Sequence, residues 1–270
     1  MILIRLFVCA CLSFAAFGAD AAKASLNDIL AEVAKRSADP ALAAARDSFA
    51  YQRTSRVDYL NDDGTLRKQT VRLYQVYPEN GVAVPHLISI NGHPKESHDK
   101  KGDENGKGDD DKHRSPTREA GDRSRFLHLT SDLLAHFDFT LKGEEKFNGR
   151  MSWVLGFVPK PDAPSDGLID KVINAVGGTL WIDEEDYQMA KADVHLSRKV
   201  SFFAGIAGAI DVMNLQVIQK RLAPAVWLHE GIVMDLTARK FLSPVRLRCF
   251  ENCSGFHKVP EQEAQASAAK

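Results

Sequence analysis

The spacing of apolar residues predicts three short helices along the chain. Apolar side chains recur every three or four positions from Leu26 to Val33, and Asp39-Pro40 interrupts this pattern. The same spacing predicts helices over residues 126–137 and 166–176, the second of which ends at Gly177-Gly178. Each helix has one apolar face, so we expect each to cover another element.

Elsewhere apolar and polar positions alternate, as they do in strands with one buried face. Residues 49–59 and 71–77 flank the turn Asn61-Asp62-Asp63-Gly64 and predict a hairpin. Asn148-Gly149 predicts a second hairpin turn, which leads into a strand over residues 151–157. Further strands are predicted at residues 87–90, 179–183, 188–198, 213–220, 226–236 and 245–250.

The order of these elements indicates the fold class. Strands do not alternate with helices in the way that parallel α/β proteins require. The sequence therefore predicts an α+β fold that is predominantly antiparallel, in which a few helices cover an open curved sheet, or half-barrel. We expect residues 25–255 to form this single domain and residues 256–270 to form a flexible C-terminal tail.

The first residues have a different pattern. Arg5 precedes an apolar run over residues 6–17 that ends in small residues, which is typical of a secretory signal peptide over residues 1–24. The run is shorter than the ~20 residues that cross a bilayer as a helix. We therefore expect an exported chain, located in the periplasm of a Gram-negative bacterium.

A strongly charged segment interrupts the apolar pattern at residues 95–125. Charged side chains make up more than half of it, and it has no aliphatic residue larger than Ala120. Such a segment buries too little apolar surface to offset the entropy lost on ordering. We predict that it is a disordered insertion.

Overall composition excludes several classes of protein. The chain has 270 residues, of which 44% are hydrophobic and 26% charged, and its 35 Lys and Arg nearly balance its 36 Asp and Glu. A collagen-like or wholly disordered chain is excluded. The near-zero net charge also lacks the basic excess of a general nucleic-acid binder, so we expect no nucleic-acid partner.

Motifs for common enzymes are absent from the sequence. His229-Glu230 lacks the second histidine of a His-Glu-x-x-His zinc site, and there is neither a Gly-x-Ser-x-Gly elbow nor a glycine-rich phosphate loop. The acidic cluster at residues 183–186 lies between two predicted strands, where we expect a solvated turn. We predict a non-catalytic protein without a cofactor.

Two cysteines remain after the signal peptide, which contains Cys9 and Cys11. Cys249 and Cys253 are three residues apart, and in an oxidising compartment we predict a disulfide between them, although free thiols and a reactive pair are alternatives. His257 is the nearest further metal-binding side chain and supplies one ligand, so no metal site is predicted.

Several features together resemble a known superfamily. They are the exported leader, the N-terminal helix with Leu26 and Ile29, the hairpin at residues 49–77, and the segments 149–155 and 178–183. In order and pattern, rather than in any short motif, residues 25–255 resemble the periplasmic lipoprotein-carrier superfamily of LolA-like and LolB-like proteins. The charged insertion departs from that pattern.

The resemblance implies a hydrophobic half-barrel cavity that binds a lipid, an acyl chain or a lipid-modified protein. An alternative is an envelope structural or interaction protein that docks through the charged insertion. The apolar segment at residues 200–210 is a candidate mobile lid or a loop with transient membrane contact, and a buried connection is its alternative. The candidate ligand-binding residues are Trp153, Leu155, Phe157, Leu180 and Ile182 on strands, Leu168, Ile169 and Ile173 in a lid, and Phe202, Phe203 and Ile206 in the apolar segment.

Overall fold

A computed structural model describes residues 24–94, 128–165, 167–202, 208–241 and 243–260, apart from the side chain of Leu168. Two helices begin this part of the chain, α1 (Leu26–Ser37) and α2 (Pro40–Asp47). Asp39 caps α2 by accepting a hydrogen bond from the Ala41 amide at 2.8 Å, and Pro40 takes the first helical position, where its missing N–H costs nothing. Asp39-Pro40 therefore starts a second helix as well as ending the first.

In the described residues, twelve strands form one antiparallel sheet. Two further short helices, α3 (Ser131–Leu134) and α4 (Leu168–Ile173), lie between strands. The strands are β1 (Phe49–Leu60), β2 (Leu66–Glu79), β3 (Val82–Ile90), β4 (His93–Pro94), β5 (Phe137–Phe147), β6 (Arg150–Pro159), β7 (Val176–Asp183), β8 (Met189–Leu196), β9 (Val200–Phe202), β10 (Gly208–Ala223), β11 (Val226–Lys240) and β12 (Ser243–Lys258).

The strand order is β4-β3-β2-β1-β12-β11-β10-β8-β7-β6-β5, with β9 paired to β10. The last strand, β12, lies between β1 and β11 and so joins the N-terminal hairpins to the C-terminal meander. Among the described residues β4 and β5 do not pair, so the sheet is open. This confirms the predicted α+β fold, an open antiparallel half-barrel with few helices.

Both predicted hairpin turns are present. Asn148 and Gly149 have φ angles of 47° and 85°, the positive values that a two-residue turn between twisted strands requires. They connect β5 to β6, whose ends pair at Phe147 and Arg150. The turn at residues 61–64 connects β1 to β2.

Two of the three predicted helices, those over residues 126–137 and 166–176, are shorter than their apolar spacing indicated. Thr130 caps α3, which lasts a single turn, and from Phe137 the chain extends as β5 and pairs with β6. Likewise α4 ends at Ile173, and Val176 begins β7. Phe137 and Val176 satisfy both a helical and a strand pattern, and pairing with the sheet decides between them. At the C-terminus, β12 continues to Lys258, into the segment predicted as a tail.

A hydrophobic core fills one part of the concave face. Ile29 and Val33 of α1 pack there with the inward residues of the neighbouring strands, including Leu155 and Ile182, which are fully buried. Among the described residues, no helix is both long and apolar enough to cross a membrane.

The acidic turn between β7 and β8 is partly buried, which corrects the expectation of a solvated turn. Asp183 accepts two hydrogen bonds from the Arg150 guanidinium, at 2.6 and 2.9 Å. Asp186 accepts hydrogen bonds from Arg221 and from the Trp227 indole. Burial acts to raise the pKa of Asp186, but these hydrogen bonds bring it below its ordinary value. The two carboxylates therefore hold the turn against β6 and β10.

Gly178 on β7 is a position where the close approach of two strands requires glycine. A Cβ atom there would lie 2.1 Å from the backbone oxygen of Asp193 on β8. We expect Gly178→Ala to lower the free energy of unfolding by about 2 kcal/mol or more, because backbone must move to accommodate the methyl group. Gly231→Ala is the control, since its nearest neighbouring atom would be 3.9 Å away. Equal urea denaturation midpoints for the two variants would contradict this prediction.

Candidate functional site

A cavity of about 890 Å³ lies between the concave face of the sheet and the helices. Its volume is within the range of ~300–1,000 Å³ that small-molecule sites occupy. Residues of β1, β10, β11 and β12 contribute to its wall, as do strands on both sides of them. The helical side is formed by Ala43, Arg46 and Asp47 of α2, Leu133 and Leu134 of α3, and Val172 and Ile173 of α4.

Most of the wall is apolar. Phe137, Phe139 and Phe157 form an aromatic group on β5 and β6, in which the rings of Phe137 and Phe157 are 4.9 Å apart between centroids. On β10 the inward residues Met213 and Leu215 alternate with outward-facing ones. The remaining apolar wall residues include Val176, Leu180, Met189, Val194, Val217, Ile232 and Met234.

Another part of the wall is polar and partly charged. It comprises Arg46 and Asp47 of α2, Tyr51 and Arg53 of β1, and His128, His229 and Glu251. These side chains are close enough to shift one another's pKa values. We call this group the polar patch of the cavity.

Burial controls ionisation in the polar patch. It lowers the pKa of His128 to about 4, helped by the charge of Arg46 and by His229, so His128 is neutral at pH 7. Burial also raises the pKa of the Tyr51 hydroxyl and of the Asp47 carboxyl. His128 therefore adds no positive charge to the patch at pH 7.

Both arginines are 6% exposed and have unused hydrogen-bonding capacity. Among the described residues, Arg46 Nη1 and Arg53 Nε are buried without a hydrogen-bond partner. Arg53 lies over the Tyr74 ring at 4.4 Å, and its Nε is 4.0 Å from Glu251 Oε2, too far for a hydrogen bond. A buried donor without an acceptor costs about 1–3 kcal/mol, which an acceptor on a bound molecule would offset.

Two members of the polar patch, His229 and Glu251, contact each other, and His229 also contacts Cys253. His229 Nε2 lies 2.8 Å from Glu251 Oε1 and 3.3 Å from Cys253 Sγ. Glu251 and Cys253 are two positions apart on β12, and His229 is on the neighbouring strand β11. All three side chains are at least half-buried, and Cys253 is 1% exposed.

The structure contradicts the predicted disulfide between Cys249 and Cys253, which are not joined. Both lie on β12, paired regularly with Val57 and Arg53 of β1. Four residues of extended chain span roughly 13 Å, whereas disulfide-bonded Cα atoms are less than about 7 Å apart. Burial raises the pKa of the Cys249 thiol. The short spacing in sequence favoured a loop, but continuous strand pairing keeps the two residues apart.

Three of the candidate ligand-binding residues line the cavity. Phe157 and Leu180 lie in the strand wall, and Ile173 lies in α4. Trp153, Leu155 and Ile182 share the same concave face but belong to the core beside α1, where Trp153 packs on Tyr187.

The remaining candidates lie elsewhere. Ile169 of α4 is 53% exposed and is not part of the cavity wall. Phe202 is half-buried in β9, which pairs with β10, and is not part of the wall. Phe203, Ile206 and the side chain of Leu168 lie outside the described residues, as do the signal peptide and the charged insertion.

The polar patch was missed by the sequence analysis. Arg46 lies in α2, a helix that was not predicted, and Arg53 occupies an inward position of a predicted strand. The alternation Cys249, Glu251, Cys253 is readable from sequence, since these residues must share one face of a strand. The inward position of His229 is not readable, because it depends on an irregularity in β11.

No protein-family model matches the chain, and no curated protein is significantly similar to it. Solved structures are similar over most of its length. A LolA superfamily protein from Nitrosomonas europaea is 11% identical, with 88% of this chain and 96% of that one covered and a TM-score of 0.34. A domain described as an outer membrane lipoprotein-sorting protein, from Vibrio parahaemolyticus, is 12% identical, with 89% and 96% covered and a TM-score of 0.33.

A DUF1329 family protein from Desulfovibrio piger is 10% identical, with 89% of this chain and 99% of that one covered and a TM-score of 0.33. The chain is thus similar in fold to structures of the superfamily that its sequence pattern resembles.

Proposed function

We propose that this protein binds an amphiphile, a lipid or a lipid-modified protein, in the cavity of its half-barrel. The main support for this proposal is the cavity of about 890 Å³, whose wall is mostly apolar. Each methylene that moves from water into such a wall gains ~0.8 kcal/mol, so an acyl chain can be held without covalent chemistry. The proposed role is that of a non-catalytic periplasmic binding protein.

The polar patch supports an amphiphile rather than a plain hydrocarbon. Its two buried arginines have donors to spare, while Glu251 already accepts a hydrogen bond from His229. An anionic carboxylate or phosphate head would supply the missing acceptors and balance buried positive charge. We therefore place the head beside Arg46 and Arg53 and the acyl chain along β10 and the Phe137 aromatic group.

The short helices α3 and α4 form part of the cavity wall where a ligand could enter. α3 and α4 have four and six residues and contribute Leu133, Leu134, Val172 and Ile173 to the cavity. Such short helices gain little stability from their own hydrogen bonds, so their position depends on side-chain packing. We propose that they move aside as the ligand enters and then pack against it.

Binding of a fluorescent long-chain fatty acid to the purified protein tests this proposal. We expect saturable binding of one equivalent, displaced by unlabelled fatty acid and by an acylated peptide but not by the same peptide without its acyl chain. The fatty alcohol of equal length is the matched control for the head. It should compete at least about tenfold less well, because it cannot pair with the arginines. Absence of saturable uptake would overturn the proposal.

A further inference from the structure

We propose that His229, Glu251 and Cys253 form a binding site for a divalent transition metal of the zinc type. Their three ligand atoms, an imidazole nitrogen, a carboxylate oxygen and a thiol sulfur, all lie within 4.8 Å of one another. Zinc sites in proteins use these ligand types. The site shares His229 and Glu251 with the polar patch but does not depend on the proposed amphiphile-binding function.

Strand geometry brings the three side chains together. Glu251 and Cys253 are two positions apart on β12 and therefore face the same side. On β11, Gly231 pairs with Ile218 and His229 with Gln219 of β10, which leaves Glu230 as an extra residue. This bulge changes the alternation, so that His229 and Ile232 both face the cavity although they are three positions apart.

His229 makes two close polar contacts through one ring nitrogen. Its Nε2 atom is 2.8 Å from a carboxylate oxygen and 3.3 Å from a sulfur. One ring nitrogen has either one proton or one lone pair, so it can make one strong hydrogen bond of this kind. A single ion among the three atoms would satisfy all of them at once.

The distances are near those of a tetrahedral site. Bonds of about 2.0 Å to nitrogen and oxygen and 2.3 Å to sulfur place neighbouring ligand atoms about 3.3–3.5 Å apart. The observed 2.8 and 3.3 Å require movements of a few tenths of an ångström. A thiolate and a carboxylate would also neutralise the two charges of the ion in this buried setting.

Three protein ligands leave a fourth position, which faces the cavity because His229 and Glu251 line it. Arg53 stands next to this position, with its Nε 4.0 Å from Glu251 Oε2. Its charge opposes the metal ion but favours an anion, or a water, as the fourth ligand. The site is therefore suited to a zinc ion that retains one exchangeable ligand.

Titration of the reduced, metal-free full chain with Zn²⁺ and Co²⁺ tests the site. We expect one equivalent of Zn²⁺ to bind, and the Co²⁺ form to show thiolate-to-metal charge-transfer absorption. Cys253→Ser should abolish that absorption, and His229→Gln should weaken Zn²⁺ binding by about tenfold or more. Cys249→Ser, on the same face of β12, is the matched control and should leave both unchanged.

Two results would overturn the proposal: no stoichiometric Zn²⁺ binding, or absorption that depends on Cys249 instead of Cys253. If Cys253→Ser does not fold, X-ray absorption at the zinc edge of the unaltered, zinc-loaded protein shows whether sulfur is a ligand. One sulfur at about 2.3 Å with nitrogen and oxygen ligands at about 2.0 Å is expected. A shell without sulfur would contradict the assignment. None of these measurements involves a lipid, so they are independent of the proposed function.

Discussion

Asp183→Ala is expected to lower the free energy of unfolding by about 3 kcal/mol, because it leaves the Arg150 guanidinium and the turn amides without their common acceptor. Asp183 is 1% exposed, and besides Arg150 its Oδ1 accepts from the amides of Glu185 and Asp186. Urea denaturation followed by circular dichroism measures the change.

The neighbouring carboxylate provides the control for this prediction. Glu185 also contacts Arg150, at 2.9 Å, but its side chain is 76% exposed. Glu185→Ala should change the free energy of unfolding by less than about 0.5 kcal/mol, as exposed ion pairs contribute little. Asp183→Asn should be intermediate, because an amide oxygen still accepts from the turn. Similar losses for Asp183→Ala and Glu185→Ala would contradict the structural role given to the buried pair.

Met213→Trp is expected to weaken binding of the fluorescent fatty acid by roughly thirtyfold. Met213 lies in the cavity wall on β10, and an indole there takes the space of two to three methylenes of the ligand at ~0.8 kcal/mol each. The titration described for the proposed function measures the loss.

Val212→Trp is the matched control, since Val212 precedes Met213 on β10 and is 47% exposed on the other face of the sheet. It should bind the probe as the unaltered chain does. Thermal unfolding of both variants shows whether they are folded. If both bind as the unaltered protein does while folded, the cavity is not the site of uptake.

Much of the fold could be predicted because the alternation of apolar residues and the turn sequences match the strand pairing of the sheet. Alternation placed β1 and β2 on either side of the turn at residues 61–64, and Asn148-Gly149 marked the β5–β6 hairpin. Prediction was less accurate at Phe137 and Val176, where an apolar residue fits two periodicities. There, pairing with a distant strand outweighs the local pattern.

The candidate site was harder to predict, for a different reason. The alternation of apolar and polar residues shows that Leu155 and Leu180 share the concave face. Whether α1 covers such a residue or leaves it open to the cavity depends on where α1 packs. Hence Leu180 lines the cavity while its cross-strand partner Leu155 is core. The polar patch depended on α2, whose start signal Asp39-Pro40 was interpreted only as the end of the first helix, and on the β11 bulge, which has no clear sequence signal.

Native mass spectrometry of the exported protein, purified from the periplasm without detergent, shows whether the cavity holds an amphiphile. We expect a stoichiometric added mass that is released by organic extraction and contains an acyl chain and an anionic head. The same preparation of Met213→Trp should lack most of it. A clean protein mass that remains unchanged after incubation with phospholipid and with acylated peptide would contradict the proposed function.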